Sequence, residues 1–368
     1  MSARAQQGAH LGTSARPADR EGRGRKARLS VAGLGRVGRV HAANIASRCP
    51  SAELASLYDS NHEIALSLSE ELGVWAAPSF EALLEGSGTD GVIIATPTAS
   101  HAQLATMAAK AGKHVFCEKP LSFSRPTTVE LISTFAGAGV HLQVGFHRRF
   151  DPPFAAAARR VKEGELGDVY LFRASQRDRV PPNPQFIAGS GGVFVDMGIH
   201  DFDIARLLVG EVSSVSAYGA ALSDPAFADI GDADNAVVVL NFASGALGVL
   251  DISRVAGYGY ESAIEVMGGC ATLRVEDPYS ERYEWRVPGQ STRPLVASFD
   301  RRFARAFELE LEHFAGSILA GTAPCVGGLD ALAAFDIAQA AEESRRAGQV
   351  VRVPATTDKE RGSTDEST

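Results

Sequence analysis

Apolar positions along this chain follow two rhythms. Up to about residue 150, short continuous apolar runs alternate with segments in which apolar residues recur every third or fourth position. The runs have the character of strands buried on both faces, and the segments that of amphipathic helices. Strands are predicted at 28–34, 53–59 (ELASLYD), near Trp75, at 91–96 (GVIIAT), 114–118 (HVFCE) and 141–146 (HLQVGF). Helices are predicted at about 37–48, 61–72, 79–85, 100–111 and 125–138. Such alternation builds an α/β domain, a parallel sheet wound on both faces by helices, over residues 28–150.

Beyond Phe150 the rhythm changes. A helix at 152–163 leads to the strand DVYLFRAS (168–175), a Pro-rich loop at 179–185 and a helical stretch at 197–209. Then strand-like runs follow one another without helices between them, at 212–220, 236–243, 246–253, 262–268 and 271–276. Consecutive strands of this kind form an open, mainly antiparallel sheet. Residues 151–354 are therefore read as an α+β domain. Its late helices, about 300–320 and 329–347, can pack back on the first domain. Residues 1–27, rich in Arg, Gly and Ala, and the polar stretch 355–368 read as disordered extensions. The first of these lacks the apolar core of a secretory signal.

Composition narrows the function. At 368 residues the chain is long enough for two domains, and 45% hydrophobic with 22% charged residues is ordinary globular content. A net charge of −8 without a basic run in the folded region argues against nucleic acid as a partner. No apolar run approaches the roughly 20 residues that span a bilayer. Cys49, Cys117, Cys270 and Cys325 form no CxxC pair, which fits a reducing cytoplasm better than a disulfide framework or a zinc site.

Gly33-Leu-Gly35-Arg36-Val37-Gly38 matches GxGxxG directly after a strand and at the start of a helix. Its glycines permit a tight turn, close approach of a pyrophosphate, and tight helix–strand packing. Asp59 ends the next strand, where a carboxylate accepts from ribose hydroxyls. This is the fingerprint of a Rossmann dinucleotide site. Because Asp59 repels a 2′-phosphate, and Ser60 and Asn61 supply no arginine, NAD is favoured over NADP.

Two further stretches carry candidate chemistry. SGGVFVDMGIHDFD (190–203) puts Asp196 and His200 four residues apart, on one side of a helical turn, where a carboxylate can orient an imidazole and stabilise its cation. By itself such a spacing serves a helix cap or a buried polar pair equally well. Cys117-Glu118-Lys119-Pro120 lies at the end of the fifth strand, facing the cofactor crevice, where a lysine can stabilise a developing alkoxide. A solvated lysine before a proline turn is the plainer alternative.

Taken together, the glycine loop, ATPTASH (95–101), AGKHVFCEKPLS (111–122) and SGGVFVDMGIHDFD resemble the glucose–fructose oxidoreductase and inositol dehydrogenase family of nicotinamide oxidoreductases. The resemblance spans about residues 28–352. GFHRRFDPPF (145–154) and AFELELEHF (306–314) are similar to the inositol 2-dehydrogenase branch. It implies a catalytic set of Lys119, Asp196 and His200, and a cofactor site of Gly33, Gly35, Arg36, Val37, Gly38, Asp59, Thr96, Pro97, Glu118 and Lys119. Substrate contacts are implied for Lys119, Arg148, Asp178, Asp196, His200 and Tyr260, with Arg149 an alternative to Arg148 and Tyr258 to Tyr260. Either arginine also fits an ion pair at the domain boundary.

The activity implied is NAD-dependent oxidation of a ring hydroxyl of a cyclic polyol, myo-inositol foremost, by a homotetramer that needs no metal. His200 would take the hydroxyl proton, Asp196 would orient the imidazole, and Lys119 would hold the reacting oxygen. Scyllo- or chiro-inositol and cyclic sugars remain as substrates, and a nicotinamide-binding sensor without catalysis remains as another class. A glycosidase using transient oxidation is disfavoured, because no extra acid pair is evident. His101 reads as structural or a neighbour of the cofactor, His147 as either a substrate contact or a surface or interface residue, Asp201 and Asp203 as capping or pairing groups, and Phe303, Phe307, Leu311 and Phe314 as core.

Overall fold

Six parallel strands form the first sheet in the order β3-β2-β1-β4-β5-β6. They are β1 (Ala27–Ala32), β2 (Ala52–Tyr58), β3 (Trp75–Ala76), β4 (Gly91–Ile94), β5 (His114–Cys117) and β6 (Leu142–Val144). The structure is a computed structural model, and it describes residues 24–86, 88–276 and 284–355. Residues 1–23 and 356–368, which cover most of both proposed extensions, lie outside the described residues.

The connections are α1 (Arg36–Ser47), α2 (His62–Leu72), α3 (Phe80–Glu85), α4 (Thr98–Lys110) and α5 (Arg125–Ala138). Local chemistry sets their ends. Asn61 caps α2 by accepting from the Glu63 N–H, and Gly73 ends it in the left-handed region. Ser124 caps α5, which opens on a proline and closes on Gly139. Strand order reverses between β1 and β4, so their carboxyl ends open a crevice.

β6 is shorter than the apolar run 141–146. A 3-10 turn at His147–Phe150 follows and carries the chain into the second domain.

The second sheet holds seven strands in the order β12-β11-β7-β10-β9-β8-β15. These are β7 (Val169–Arg177), β8 (Val212–Ala220), β9 (Asn235–Phe242), β10 (Leu247–Ser253), β11 (Glu261–Gly268), β12 (Thr272–Val275) and, after the hairpin of β13 (Trp285–Val287) and β14 (Gln290–Thr292), β15 (Val351–Arg352). It is mixed: β7 and β10 pair in parallel, and the other pairs are antiparallel. The helices of this half are α6 (Pro152–Lys162), α7 (Pro184–Ala188), α8 (Ile199–Val209), α9 (Ala226–Asp229), α10 (Phe299–Arg302), α11 (Ala304–Ala320) and α12 (Gly328–Ala347).

α8 and α12 cover one face of the second sheet, and among the described residues several side chains of its other face are exposed. β9 shows why: alternate residues Ala236, Val238, Leu240 and Phe242 point into the core, while Val237 and Val239 stay exposed. Tyr170, Tyr218, Leu247 and Met267 extend this exposed apolar surface. In contrast, α11 returns to the first sheet, where Leu311, Phe314 and Ala315 join Leu29, Val31 and Phe116 in one core. Among the described residues, no helix is long and apolar enough to cross a membrane.

Candidate active site

The glycine loop forms the floor of the crevice. Gly33 has φ +88°, and a Cβ there would come within 2.6 Å of the Ala95 and Thr96 backbone. A Cβ on Gly38 would meet the Gly33 carbonyl oxygen at 1.8 Å, so helix and turn touch without side chains between them. Gly35 differs: a Cβ on it would meet nothing within 4 Å. Gly35 begins α1, which has neither a side-chain cap nor an acid in its first turn. The first N–H groups of α1 therefore face open space with no partner from a capping side chain, a setting that favours an anion.

Asp59 closes the end of β2. Its two oxygens accept from Leu34 N at 2.7 Å and Asn61 N at 2.9 Å, fixing the carboxylate with lone pairs to spare. Val37 packs against the large core, and the Arg36 guanidinium lies 4.3 Å over the Phe299 ring. Thr96 and Pro97 lead into α4, where Ser100 Oγ donates to Thr96 Oγ1 at 2.7 Å. His101 contacts the Thr96 carbonyl at 2.7 Å and the Pro120 carbonyl at 2.9 Å. It thus ties two loops of the crevice together, as its structural reading implied.

Lys119 follows β5 and points across the domain seam. Its Nζ donates to the Asp196 carbonyl at 2.6 Å and lies 3.6 Å from Asp196 Oδ1. Arg254 donates to Asp196 Oδ2 at 2.7 Å, and its other Nη approaches Asp232 Oδ2 at 3.5 Å. Arg254 has no exposed surface, and Asp232 in turn accepts from Val193 N. Sequence reasoning missed this arginine. The only signal available was an arginine directly after the strand ALGVLDIS.

Asp178 sits beside the same cluster, held where its N–H donates to the Ser253 carbonyl and its own carbonyl accepts from Ala256 N. Burial, and then the nearby Asp196 charge, push its carboxyl up to about 6, against the opposing pull of Arg254, Arg36 and Lys119.

His200 lies in the wall formed by Phe146 and His147, whose rings stand 6.1 and 4.8 Å from it. The expected Asp196–His200 hydrogen bond is not formed. Asp196 is taken by Arg254 and Lys119, and His200 Nδ1 is buried without a hydrogen-bond partner among the described residues. A π-helical turn, Phe194–Gly198, carries Asp196 just before α8 and interrupts the regular four-residue spacing. Burial first, then Lys119, His147 and Arg148, hold the His200 imidazole well below its usual range, so it is neutral at pH 7.

The two arginines of the 3-10 turn are held in ion pairs. Arg148 donates to Asp201 at 2.6 Å with both side chains 1% exposed, and Tyr260 is a neighbour of its charge. Arg149 grips Asp203 through two nitrogens and also reaches Asp330, joining α8 to α12. Asp201 and Asp203 act as pairing groups. Tyr260 is buried near Asp178 and Arg148, and burial pushes its hydroxyl up to about 12. Tyr258 is exposed, and joins Arg177 and Glu261 on the sheet surface. The site thus brings together Lys119, Asp178, Asp196, His200, Arg148 and Tyr260, with Arg254 behind them.

Comparison with known proteins agrees with the features of the crevice. Residues 27–146 match a family model described as an oxidoreductase family with an NAD-binding Rossmann fold, and 154–274 match the GFO/IDH/MocA C-terminal domain. A scyllo-inositol 2-dehydrogenase (NAD(+)) of Bacillus subtilis is 37% identical over 89% of this chain and 96% of the relative. A myo-inositol 2-dehydrogenase of Thermotoga maritima is 38% identical over 86% of this chain and 96% of the relative. The crystal structure of scyllo-inositol dehydrogenase from Lactobacillus casei with bound NAD(H) and scyllo-inositol superposes with a TM-score of 0.85, at 29% identity, covering 90% of this chain and 100% of that one. NAD fits the residues present: an open Gly35, an uncapped α1 and a fixed Asp59.

Asp178 supplies a pH test. Its folded carboxyl is raised from 3.8 to about 6, so the unfolded chain binds fewer protons between those values and stability falls as pH rises through them. Asp178→Asn removes that ionisation, which costs up to roughly 3 kcal/mol. In thermal unfolding, the Tm of the variant relative to wild type is expected to rise between about pH 4 and pH 6.5. A difference independent of pH would show that Asp178 is not so perturbed.

Proposed function

The chain belongs to the GFO/IDH/MocA oxidoreductase family, and on that premise we propose that it oxidises one ring hydroxyl of a cyclic polyol with NAD as acceptor. Inositol is the substrate class favoured, and conversion of myo-inositol to 2-keto-myo-inositol (scyllo-inosose) the specific reaction. The observation that carries this reading is the meeting of a lysine ammonium, a neutral imidazole and a half-buried carboxylate at the carboxyl end of β5.

In this reading the substrate hydroxyl lies between Lys119 and His200. Lys119 donates to the reacting oxygen and stabilises its alkoxide character. The neutral His200 has a lone pair ready and accepts the hydroxyl proton. NAD, when bound, supplies the acceptor for the hydride released from the same carbon. Asp196 acts through Lys119 rather than through the imidazole: it fixes the ammonium, while Arg254 fixes Asp196. Asp178 and Tyr260 offer hydrogen bonds to hydroxyls that do not react.

Isomer choice rests on small displacements of these polar groups, and the relatives carry both myo- and scyllo-inositol in their names. A panel of inositol isomers and aldoses with NAD, followed at 340 nm, is expected to give NADH most rapidly with an inositol. His200→Ala should lower that turnover about 10²- to 10⁴-fold and leave NAD affinity nearly intact. NADH from aldoses but no inositol would overturn the substrate, and near-normal turnover by the variant would remove His200 from proton transfer.

The exposed apolar face around Tyr218, Val237, Val239 and Leu247 supports a subunit contact, and the assembly proposed is a homotetramer, in the reducing cytoplasm that the separated cysteines favour. Light scattering on the purified protein should give four times the chain mass. A monomer at micromolar concentration would contradict this assembly.

A further inference from the structure

Behind the strand end that presents Lys119 lies a second group of ionisable side chains, which the chemistry above leaves unused. His41 on α1, Glu118 after β5 and Glu310 on α11 bring their polar atoms within 4.8 Å of one another. His41 and Glu310 have no exposed surface. His41 Nε2 lies 2.8 Å from Glu118 Oε1, and since a carboxylate only accepts, the ring donates. Gly145 presses on the other oxygen: a Cβ there would come within 2.8 Å of Glu118 Oε2. Both Glu310 oxygens are buried and have no hydrogen-bond partner among the described residues.

An ionised Glu310 would be a buried charge facing a second carboxylate. The cation nearest in sequence, Lys119, is turned away towards Asp196. Burial, and then Glu118, push the Glu310 carboxyl well above the usual carboxylate range. It therefore keeps a proton, and Glu118, within 4.8 Å, is the carboxylate that this proton can reach by a small side-chain rotation. A divalent cation suits the group less well. A metal-bound imidazole normally donates from its second nitrogen to a partner, and His41 Nδ1 has none among the described residues.

We propose that His41 and Glu310 are positioning residues: from two sides they hold the Glu118 carboxylate, and through it the strand end that aims Lys119 at the substrate. This rests on the reading of Lys119 as the group that holds the reacting oxygen. It also gives α11, late in the chain, a direct hand in the geometry of a site on the first sheet.

Glu310→Gln keeps a donor and Glu310→Met keeps only the length, so the pair separates hydrogen bonding from filling space. Glu310→Gln is expected to hold kcat within about threefold of wild type, whereas Glu310→Met loses at least about tenfold with the KM for NAD little changed. Amide hydrogen exchange over residues 115–121 should accelerate in Glu310→Met and not in Glu310→Gln. Exchange needs no substrate, so it tests the anchor even if no polyol is oxidised. His41→Phe removes the other donor and is the second variant should Glu310→Met fail to fold; it is expected to accelerate the same exchange. Wild-type exchange and turnover in a folded Glu310→Met or His41→Phe would overturn the proposal. So would Glu310→Gln falling as far as Glu310→Met, or a stoichiometric metal in the wild type that Glu310→Gln loses.

Discussion

The Asp196 carboxylate stands between the Lys119 ammonium and the Arg254 guanidinium, in the seam where the two sheets meet. Lys119 comes from the end of β5, Asp196 from the π-helical turn before α8, and Arg254 from the residue after β10. A buried guanidinium such as Arg254 is tolerable only against anions, and Asp196 and Asp232 provide them. Removing Asp196 would take the shared anion from both Lys119 and Arg254, so this one carboxylate holds the three elements in a common geometry.

That geometry sets the protonation of its neighbours. Asp178, buried beside the Asp196 anion, is pushed up towards neutrality, while His200, buried beside the Lys119 cation, is held neutral. Burial is the larger cause in both, and it drives each group towards its neutral form. Here the outcome is a site with a free imidazole lone pair next to a fixed ammonium, at the edge of a sheet whose glycine loop leaves room for a dinucleotide.

Much of this was legible in the chain because it is set locally. Gly33, Gly35, Gly38 and Asp59 act through backbone geometry over one β-α-β unit, so spacing alone locates them. Partner choice is different. A four-residue spacing of Asp196 and His200 shows that the two are near, but the carboxylate goes to an arginine 58 residues away, just after a strand whose neighbours no local pattern reveals. The same holds for Arg148 and Arg149, which sequence left open between substrate and ion pair and which the fold gives to Asp201 and Asp203. The parallel pairing of β7 with β10 was hidden for the same reason: alternation reports the buried face, not the neighbouring strand. Glu310 was hidden too, as one acid among several on a helix whose apolar stripe explained its packing.

A structure of the complex with NAD and the best inositol substrate would test the central claim most directly. The account predicts one hydroxyl oxygen within about 3 Å of both Lys119 Nζ and the free nitrogen of His200. Asp196 should still be bound to Arg254. An inositol whose reacting hydroxyl lies beyond hydrogen-bond reach of both groups, or an Asp196 swung onto the His200 ring, would contradict it.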